Sequence, residues 1–319
     1  MSVSLLVANA GRLGVLAVPV ALGVLVARLR LIGNVVAAID ALNVYTLYVG
    51  FPALIAAGVV NVAGSVTGSW GFWAIVPVVD VVLVVASRAL GAAMAGRQAG
   101  SMALVCLFGN TAYLGIPFVV SVLGEAARGP AAVLVAVQVT LAVAVGPVLL
   151  VRWSGTGSAG VDWGRVLRQP LLWAPLVGLA ARALPAGGRG AVLDVLSPLA
   201  ASTAPIAMFL LGLYLFVNAE RMRTAEAGVW AHVAVRLVAA PLVSIGIAVA
   251  LRRWGGLDAS VVPIVVLLGG MPAAITTFSL ARHAGVATER VASVVVRSSV
   301  ASVLTLPILA TIAERVGRW

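Results

Sequence analysis

The sequence predicts an all-α membrane protein that crosses the bilayer many times, and three observations support this fold class. Of the 319 residues, 62% are hydrophobic and only 10% are charged, whereas about a quarter of the residues in a soluble domain are charged. The mean hydropathy is +1.14. Ten apolar segments approach the length of about 20 residues that a helix needs to cross the hydrocarbon core. We therefore predict a multi-pass protein of the cell (inner or plasma) membrane.

The ten segments follow one another along the chain with short polar connections between them. We place them at Leu13–Leu29, Val35–Val60, Phe72–Leu90, Ser101–Leu123, Ala131–Val151, Leu171–Leu184, Val192–Phe216, Val229–Leu251, Val261–Ala281 and Val291–Ile312. The N-terminal stretch contains Arg12 and lacks the order of regions found in a signal peptide, so we interpret it as the first span. The sixth segment is short and contains Pro175, which leaves a nine-helix alternative open.

The chain divides into two halves of similar layout. Residues 1–151 form a predicted first five-helix repeat, residues 152–169 a Gly- and Ser-rich central loop, and residues 170–319 a second five-helix repeat. Prolines align between the halves with shifts of 153 to 160 residues, as Pro19 with Pro175, Pro52 with Pro205, Pro117 with Pro272 and Pro147 with Pro307. Because five is odd, the second copy crosses the membrane in the opposite direction. This pattern predicts the inverted repeat of secondary transporters.

The net charge of +11 comes from arginines that lie mainly between the apolar segments. This placement indicates contact with lipid headgroups and disfavours a nucleic-acid partner. With the N-terminus outside, eleven arginines fall in cytoplasmic connections and eight outside, so both termini are predicted to be outside. Cys106 is the only cysteine, and His232 and His283 have no partner at ligand spacing. We therefore predict no metal site and no cofactor.

Two of the segments are predicted to break within the membrane. The fourth contains the run Gly109–Pro117, and the ninth contains Gly269–Pro272, followed by Thr276 and Thr277. Proline removes a backbone donor and clashes with the preceding turn, while glycine relaxes the helix. Freed backbone groups persist at membrane depth only where protein or a wet cavity satisfies them. Breaks at matched positions predict one central site, and a pair of ordinary proline kinks is the alternative.

The chemistry of this site favours an anionic ligand. Helix N-termini after the breaks offer free amides and a positive dipole end, and Asn110 adds a neutral donor and acceptor. Arg297 in the tenth segment costs about 2.5 to 3.5 kcal/mol near the bilayer centre, so it should face protein, water or an anion; a structural ion pair is its alternative role. We predict no catalytic residue, and the predicted substrate-binding residues are Asn110, Tyr113, Pro117, Gln138, Pro272, Thr276, Thr277 and Arg297.

Asp80 in the third segment and Arg236 in the eighth are also matched, because 156 residues separate them. They could form a structural ion pair. Alternatively, Asp80 could take up and release a proton during transport, as carboxylates inside membranes often do. The sequence leaves both roles open.

Three stretches together resemble the auxin efflux carrier family, and the similarity covers nearly the whole chain. They are the run Gly109–Pro117, the stretch Met271–Ala274 leading to Phe278–Ala281, and Leu42-Asn43 ahead of Tyr48 and Pro52. The resemblance implies ten spans that cross at the two proline breaks, in carriers of auxin, malonate or malate. It also implies an elevator mechanism, in which a core of spans three to five and eight to ten moves against a scaffold of spans one, two, six and seven. We expect a homodimer through the scaffold helices.

The chain also departs from the family pattern. Bacterial relatives often carry an Asn shortly after the proline pair of the ninth span, and Thr276 stands at that position here. The long hydrophilic middle loop of many plant carriers is absent from the sequence, which favours a prokaryotic member.

The sequence thus predicts a secondary transporter of the elevator type that exports small organic anions, such as carboxylates or auxin-like acids, bound where helices 4 and 9 cross. The alternative is a sodium-coupled organic anion symporter similar to the bile acid carriers, which share the crossover plan. A membrane enzyme is disfavoured because the sequence lacks paired Asp-rich motifs, Gly-x-Ser-x-Gly and His-Glu-x-x-His. A sensor or structural protein would leave the matched breaks unexplained.

Overall fold

The computed structural model describes residues 3–62, 64–94, 99–154, 163–222, 227–278 and 288–316. Its main helices are α1 (Val3–Arg28), α2 (Val35–Asn61), α3 (Trp70–Met94), α4 (Ala99–Leu107), α5 (Thr111–Leu123), α6 (Arg128–Ser154), α7 (Pro170–Arg182), α8 (Ala186–Val217), α9 (Gly228–Trp254), α10 (Val261–Gly269) and α11 (Thr288–Val316). Seven regions of these helices, in α1, α2, α3, α6, α8, α9 and α11, are long and apolar enough to cross a membrane. Over the described ranges no strand forms, and one isolated bridge joins Gly109 to Ala273. The prediction of an all-α multi-pass membrane protein is confirmed at this level.

The first helix begins at Val3, ten residues before the predicted start at Leu13. Its polar residues are satisfied by the last helix, which is why the helix extends so far. Arg12 Nη1 donates to Asn9 Oδ1 at 2.6 Å and to Glu314 Oε1 at 2.8 Å. Paired in this way, the polar groups near the N-terminus do not interrupt the apolar helix.

Parts of two predicted segments lie outside the described residues. The predicted central loop at 152–169 includes the undescribed residues 155–162. The ninth segment is described as far as 278, so Ser279, Leu280 and Ala281 of the family-like stretch also lie outside.

Prolines widen three helices without ending them. A π-helical turn spans Thr46–Gly50, another Thr111–Gly115 and a third Val235–Ala239, and each ends two residues before a proline. Proline donates no hydrogen bond and its ring clashes with the carbonyl one turn earlier, and a wider turn moves that carbonyl aside. Pro117 therefore lies inside α5, and the break in the fourth segment falls earlier, at residues 108–110.

The helices pack as two groups. The first contains α1, α2, α7 and α8, and the second contains α3 to α6 and α9 to α11. Gly23 of α1 and Gly212 of α8 lie so close that a Cβ at either position would collide with the opposite backbone, as expected for small residues between membrane helices. The groups meet where α2 and α7 pack on α6 and where α1 packs on α11.

Candidate functional site

The two broken spans cross and pair through their backbones. The backbone N–H of Asn110 donates to the carbonyl oxygen of Pro272 at 2.6 Å, and the backbone N–H of Ala274 donates to the carbonyl oxygen of Phe108 at 2.9 Å. Each paired stretch follows the end of a helix: α4 ends at Leu107, before the first stretch, and α10 ends at Gly269, before the second. The pairing satisfies backbone groups that would otherwise be stranded in an apolar interior. Both breaks therefore belong to one site, which we call the crossover (residues 108–110 and 271–274).

Arg236 from α9 bonds to both broken spans. Its Nε donates to the carbonyl oxygen of Met271 at 2.8 Å, and its Nη1 donates to that of Cys106 at 3.0 Å. The residue is buried, with 1% exposure. Its positive charge therefore lies at the carboxyl ends of α4 and α10, where the helix dipoles place partial negative charge.

Gly109 is required by this arrangement. Its Cα packs against the Arg236 guanidinium so closely that a Cβ would overlap Nη2. Any other residue would displace either the arginine or the extended segment that pairs with Ala273.

Asn110 is the most unusual polar side chain at the crossover. It is 1% exposed, and neither side-chain atom of its amide forms a hydrogen bond within the described part of the chain. It directly precedes α5, whose first amides have no acceptor within the helix. A buried unpaired polar group costs about 1 to 3 kcal/mol, which makes Asn110 the candidate ligand-contacting residue of the crossover.

Tyr113 connects the crossover to the other helix group. Its hydroxyl donates to Asn43 Oδ1 of α2 at 3.0 Å and lies 3.2 Å from Thr46 Oγ1. Its ring centroid lies 4.6 Å from that of Phe51. The candidate site therefore borders the surface between the two groups.

Gln138 of α6 connects the crossover to Asp80. Its Oε1 accepts a hydrogen bond from Thr111 Oγ1 at 2.8 Å, and its Nε2 lies 3.5 Å from both the Leu107 carbonyl and Asp80 Oδ1. Ser244 lines a cavity of about 30 Å³ together with Asp80 and Gln138, enough for one or two water molecules.

Asp80 and Arg236 do not bond to each other directly. Asp80 Oδ1 accepts only the long bond from Gln138, while Arg236 is bound by carbonyl oxygens. Asp80 Oδ2 has no hydrogen-bond partner among the described residues. The two side chains lie near each other without a direct bond, and both roles left open by the sequence, a structural pair and proton coupling, stay predictions.

The other predicted residues of the second half occupy different surroundings. Thr277 is buried and donates to the carbonyl of Ala274, whereas Thr276 is half-buried. Arg297 is 3% exposed, and its guanidinium carbon lies 5.4 Å from the centroid of the Trp230 ring. The next residue, Ser298, accepts a hydrogen bond from the Ala273 amide at 3.1 Å.

The structure thus places Asn110 and Pro272 in the crossover. Gln138 contacts residues next to it, Thr277 bonds to Ala274 within it, and Tyr113 lies where it borders α2. Sequence reasoning did not select the residues that support them, which are Asn43, Thr46, Gly109, Thr111 and Ser298. Asn43, Gly109 and Thr111 had a signal, since they lie in family-like stretches, whereas the position of Thr46 or Ser298 in a long apolar helix carries none.

Comparison with known protein families gives a match over most of the chain. A family model described as membrane transport protein matches residues 21–310, a range that includes both broken spans. No curated protein matches the chain.

Proposed function

Because the chain belongs to the membrane transport protein family, which includes the auxin efflux carriers, we propose that it is a secondary transporter of small organic anions. Family membership makes the chain a membrane transporter. The anion class, binding at the crossover and movement by an elevator mechanism are the proposal. Carboxylates and auxin-like acids are the substrates we propose.

The proposal depends on one observation: the side-chain amide of Asn110 is buried and has no hydrogen-bond partner among the described residues. It lies at the start of α5, where free backbone amides and the positive end of the helix dipole favour a carboxylate. The side-chain NH₂ of Asn110 adds a further donor to the anion. Gln138 and Asn43 hold the segment that follows Asn110, through Thr111 and Tyr113 respectively, so the site is preorganised for a small ligand.

The order of helices supports ten spans arranged as two inverted repeats. Each proposed repeat, 1–151 and 170–319, has three helical segments, then a broken span and then a long last helix. In the second repeat the broken span continues as a helical turn at 275–278. With five spans in each half, the two breaks enter the membrane from opposite sides.

The two helix groups support an elevator mechanism. The group with α3 to α6 and α9 to α11 carries the crossover, and the group with α1, α2, α7 and α8 faces it through Tyr113 and Asn43. These are the groups expected for the moving core and the scaffold. The homodimer through the scaffold, the outside position of both termini and the prokaryotic origin stay predictions.

A sodium-coupled symporter of the bile acid carrier type is the second candidate. Asp80 favours it, because Oδ2 of this buried carboxylate has no partner in the described chain and the residue borders the cavity. The same carboxylate would also serve proton coupling.

Uptake into proteoliposomes tests the proposal. Labelled dicarboxylates and indole acids are offered to the parent protein and to Asn110→Ala, with an imposed pH gradient, an imposed sodium gradient or neither. We expect uptake of at least one acid by the parent, loss of that uptake in Asn110→Ala, and no requirement for sodium. Uptake that needs sodium would favour the symporter, and uptake of neutral or cationic solutes alone would contradict an anion carrier.

A further inference from the structure

We infer that the Arg236 guanidinium acts as a permanent cation in the crossover. It binds the carboxyl ends of α4 and α10, which is the kind of position where other carriers bind a coupling ion. In secondary transporters, unwound carbonyls and half-helix carboxyl ends coordinate Na⁺. Here one guanidinium bonds to such carbonyls. The inference rests on the proposed site, but its test does not require transport.

The geometry places the charge between the two halves of the chain. Nη1 bonds to Cys106 in the last turn of α4, and Nε bonds to Met271 just after α10. A single rigid donor group thus joins the first proposed repeat to the second. Arginine suits this task because its planar fork directs several N–H groups at fixed angles.

The local backbone is shaped to receive this side chain. Gly109 leaves the space that Nη2 occupies. Arg236 itself lies in the π-helical turn that precedes Pro241, and such turns occur often at functional sites. Both features are local exceptions to helix geometry, and the glycine directly makes room for the guanidinium.

The electrostatics explain why the charge is tolerated. A buried cation needs strong compensation, and Arg236 has two carbonyl oxygens, two helix dipoles and the nearby carboxyl group of Asp80. The guanidinium therefore supplies the positive charge that a bound ion would otherwise supply. Removing it should loosen the crossover and leave a place that a small cation can fill.

Cys106 provides a reporter that does not depend on the substrate. It is the only cysteine in the sequence, it is fully buried, and its carbonyl accepts the Nη1 bond. We propose labelling membranes that contain the protein with N-ethylmaleimide. In Arg236→Ala we expect labelling at least about tenfold faster than in the parent, because local opening exposes a thiol that is otherwise protected.

Chemical rescue separates a missing cation from general damage. Guanidinium at about 20 mM, well below denaturing concentrations, should restore protection of Cys106 in Arg236→Ala, since a ligand that binds the closed form stabilises it. Potassium at the same concentration should not. Restoration by sodium as well would support the inference, and Arg236→Lys, which keeps the charge without the fork, should label at an intermediate rate.

Arg182→Ala is the matched control. Arg182 Nη1 donates to the carbonyl of Val62 at 2.6 Å, so this variant also removes an arginine bound to a backbone carbonyl, in the other helix group. It should label at the rate of the parent, with no effect of guanidinium.

Three results would overturn the inference. The first is parental protection of Cys106 in Arg236→Ala, and the second is fast labelling that neither guanidinium nor Arg236→Lys reduces. If Arg236→Ala does not reach the membrane, Asp80→Asn/Arg236→Ala, which strands no carboxylate, takes its place in the rescue experiment. The third result is that the double variant also fails to insert into the membrane, because Arg236 would then be needed for folding alone. Rescue in a protein that transports no anion would keep the inference and reject the proposed function.

Discussion

The two breaks of the crossover have similar backbones and different side chains. In both, an extended stretch follows a short helix and pairs with the other stretch. The first break ends in Asn110, whose amide side chain has no partner among the described residues. In the second, Ala273 lies opposite Gly109, and its backbone amide donates to Ser298. Backbone groups of both halves therefore form the crossing, whereas the unpaired polar side chain proposed to bind the ligand lies in the first half.

The surroundings of the breaks differ in the same sense. Tyr113 joins the first break to α2, and Thr111 joins it to Gln138 of α6. The second break is joined to α11 through Ser298. The two breaks thus share a backbone arrangement and differ in their side-chain partners, and in the proposed transporter substrate selectivity should follow the first set.

The largest expected effect comes from removing the side chain that distinguishes the breaks. Asn110→Ala should weaken anion binding by about tenfold or more, because a buried hydrogen bond to a charged group contributes about 1.5 to 3 kcal/mol. The folded protein should melt at or above the parental temperature, since an unpaired buried amide is lost. Equilibrium binding of the acid found in the uptake experiment, with melting temperatures in detergent, measures both.

Gln138→Ala is the comparison variant, because it removes an amide side chain that is already hydrogen-bonded in the folded protein. Gln138 already bonds to Thr111, so its loss should lower the melting temperature as well as the affinity. Parental affinity in Asn110→Ala would place the ligand elsewhere and would remove the functional difference between the breaks.

A smaller effect is expected for Arg297, whose role as an anion clamp stays a prediction. Its guanidinium lies over Trp230, and such a contact contributes about 0.5 to 2 kcal/mol. Arg297→Gln should therefore lower the melting temperature and change anion affinity little, while Arg297→Lys, which keeps the charge, should be milder in both. Arg297→Gln protein that melts like the parent but no longer binds the anion would instead establish the clamp and give the second half a direct part in recognition.

The smallest effect is expected where the ninth span begins. Ser260 donates to Asp258 Oδ1 from its hydroxyl at 2.6 Å and from its backbone N–H at 2.8 Å. These bonds, the hydroxyl first, lower the pKa of the Asp258 carboxyl below its ordinary value of 3.8. A carboxyl with a lowered pKa in the folded state adds stability above its ordinary pKa, and this stability is lost as the pH falls through the folded-state pKa.

Ser260→Ala should raise the pKa of Asp258 toward its ordinary value and cost about 0.5 kcal/mol or less, since the group is largely exposed. The difference in melting temperature from the parent should be present at neutral pH and shrink as the pH falls below about 4. A difference that is constant over this range would mean that the hydroxyl acts by packing. In either case the crossover itself should be unaffected, with Cys106 as protected as in the parent.

Much of the candidate site could be predicted from the chain itself. Asn110, Gln138 and Pro272 stand out because a side-chain amide or a proline is costly inside an apolar span, and Tyr113 stands out because it lies within the family-like run Gly109–Pro117. The direction of a side chain around a helix was harder to predict. Arg297 and Ser298 are neighbours, yet one faces Trp230 and the other meets the crossover, because successive residues point about 100° apart.

The sequence by itself determined the solvent, the fold class and the two segments in which the helix is broken. Each of these depends on composition and local covalent chemistry, namely apolar length, missing proline donors and the freedom of glycine. Only the tertiary structure decided that Arg236 bonds to the carbonyls of Cys106 and Met271 and not directly to Asp80. Those acceptors lie 130 and 35 residues away along the chain and are backbone atoms that every residue carries. Their availability depends on two helices ending at the same point in space, and no local pattern encodes that meeting.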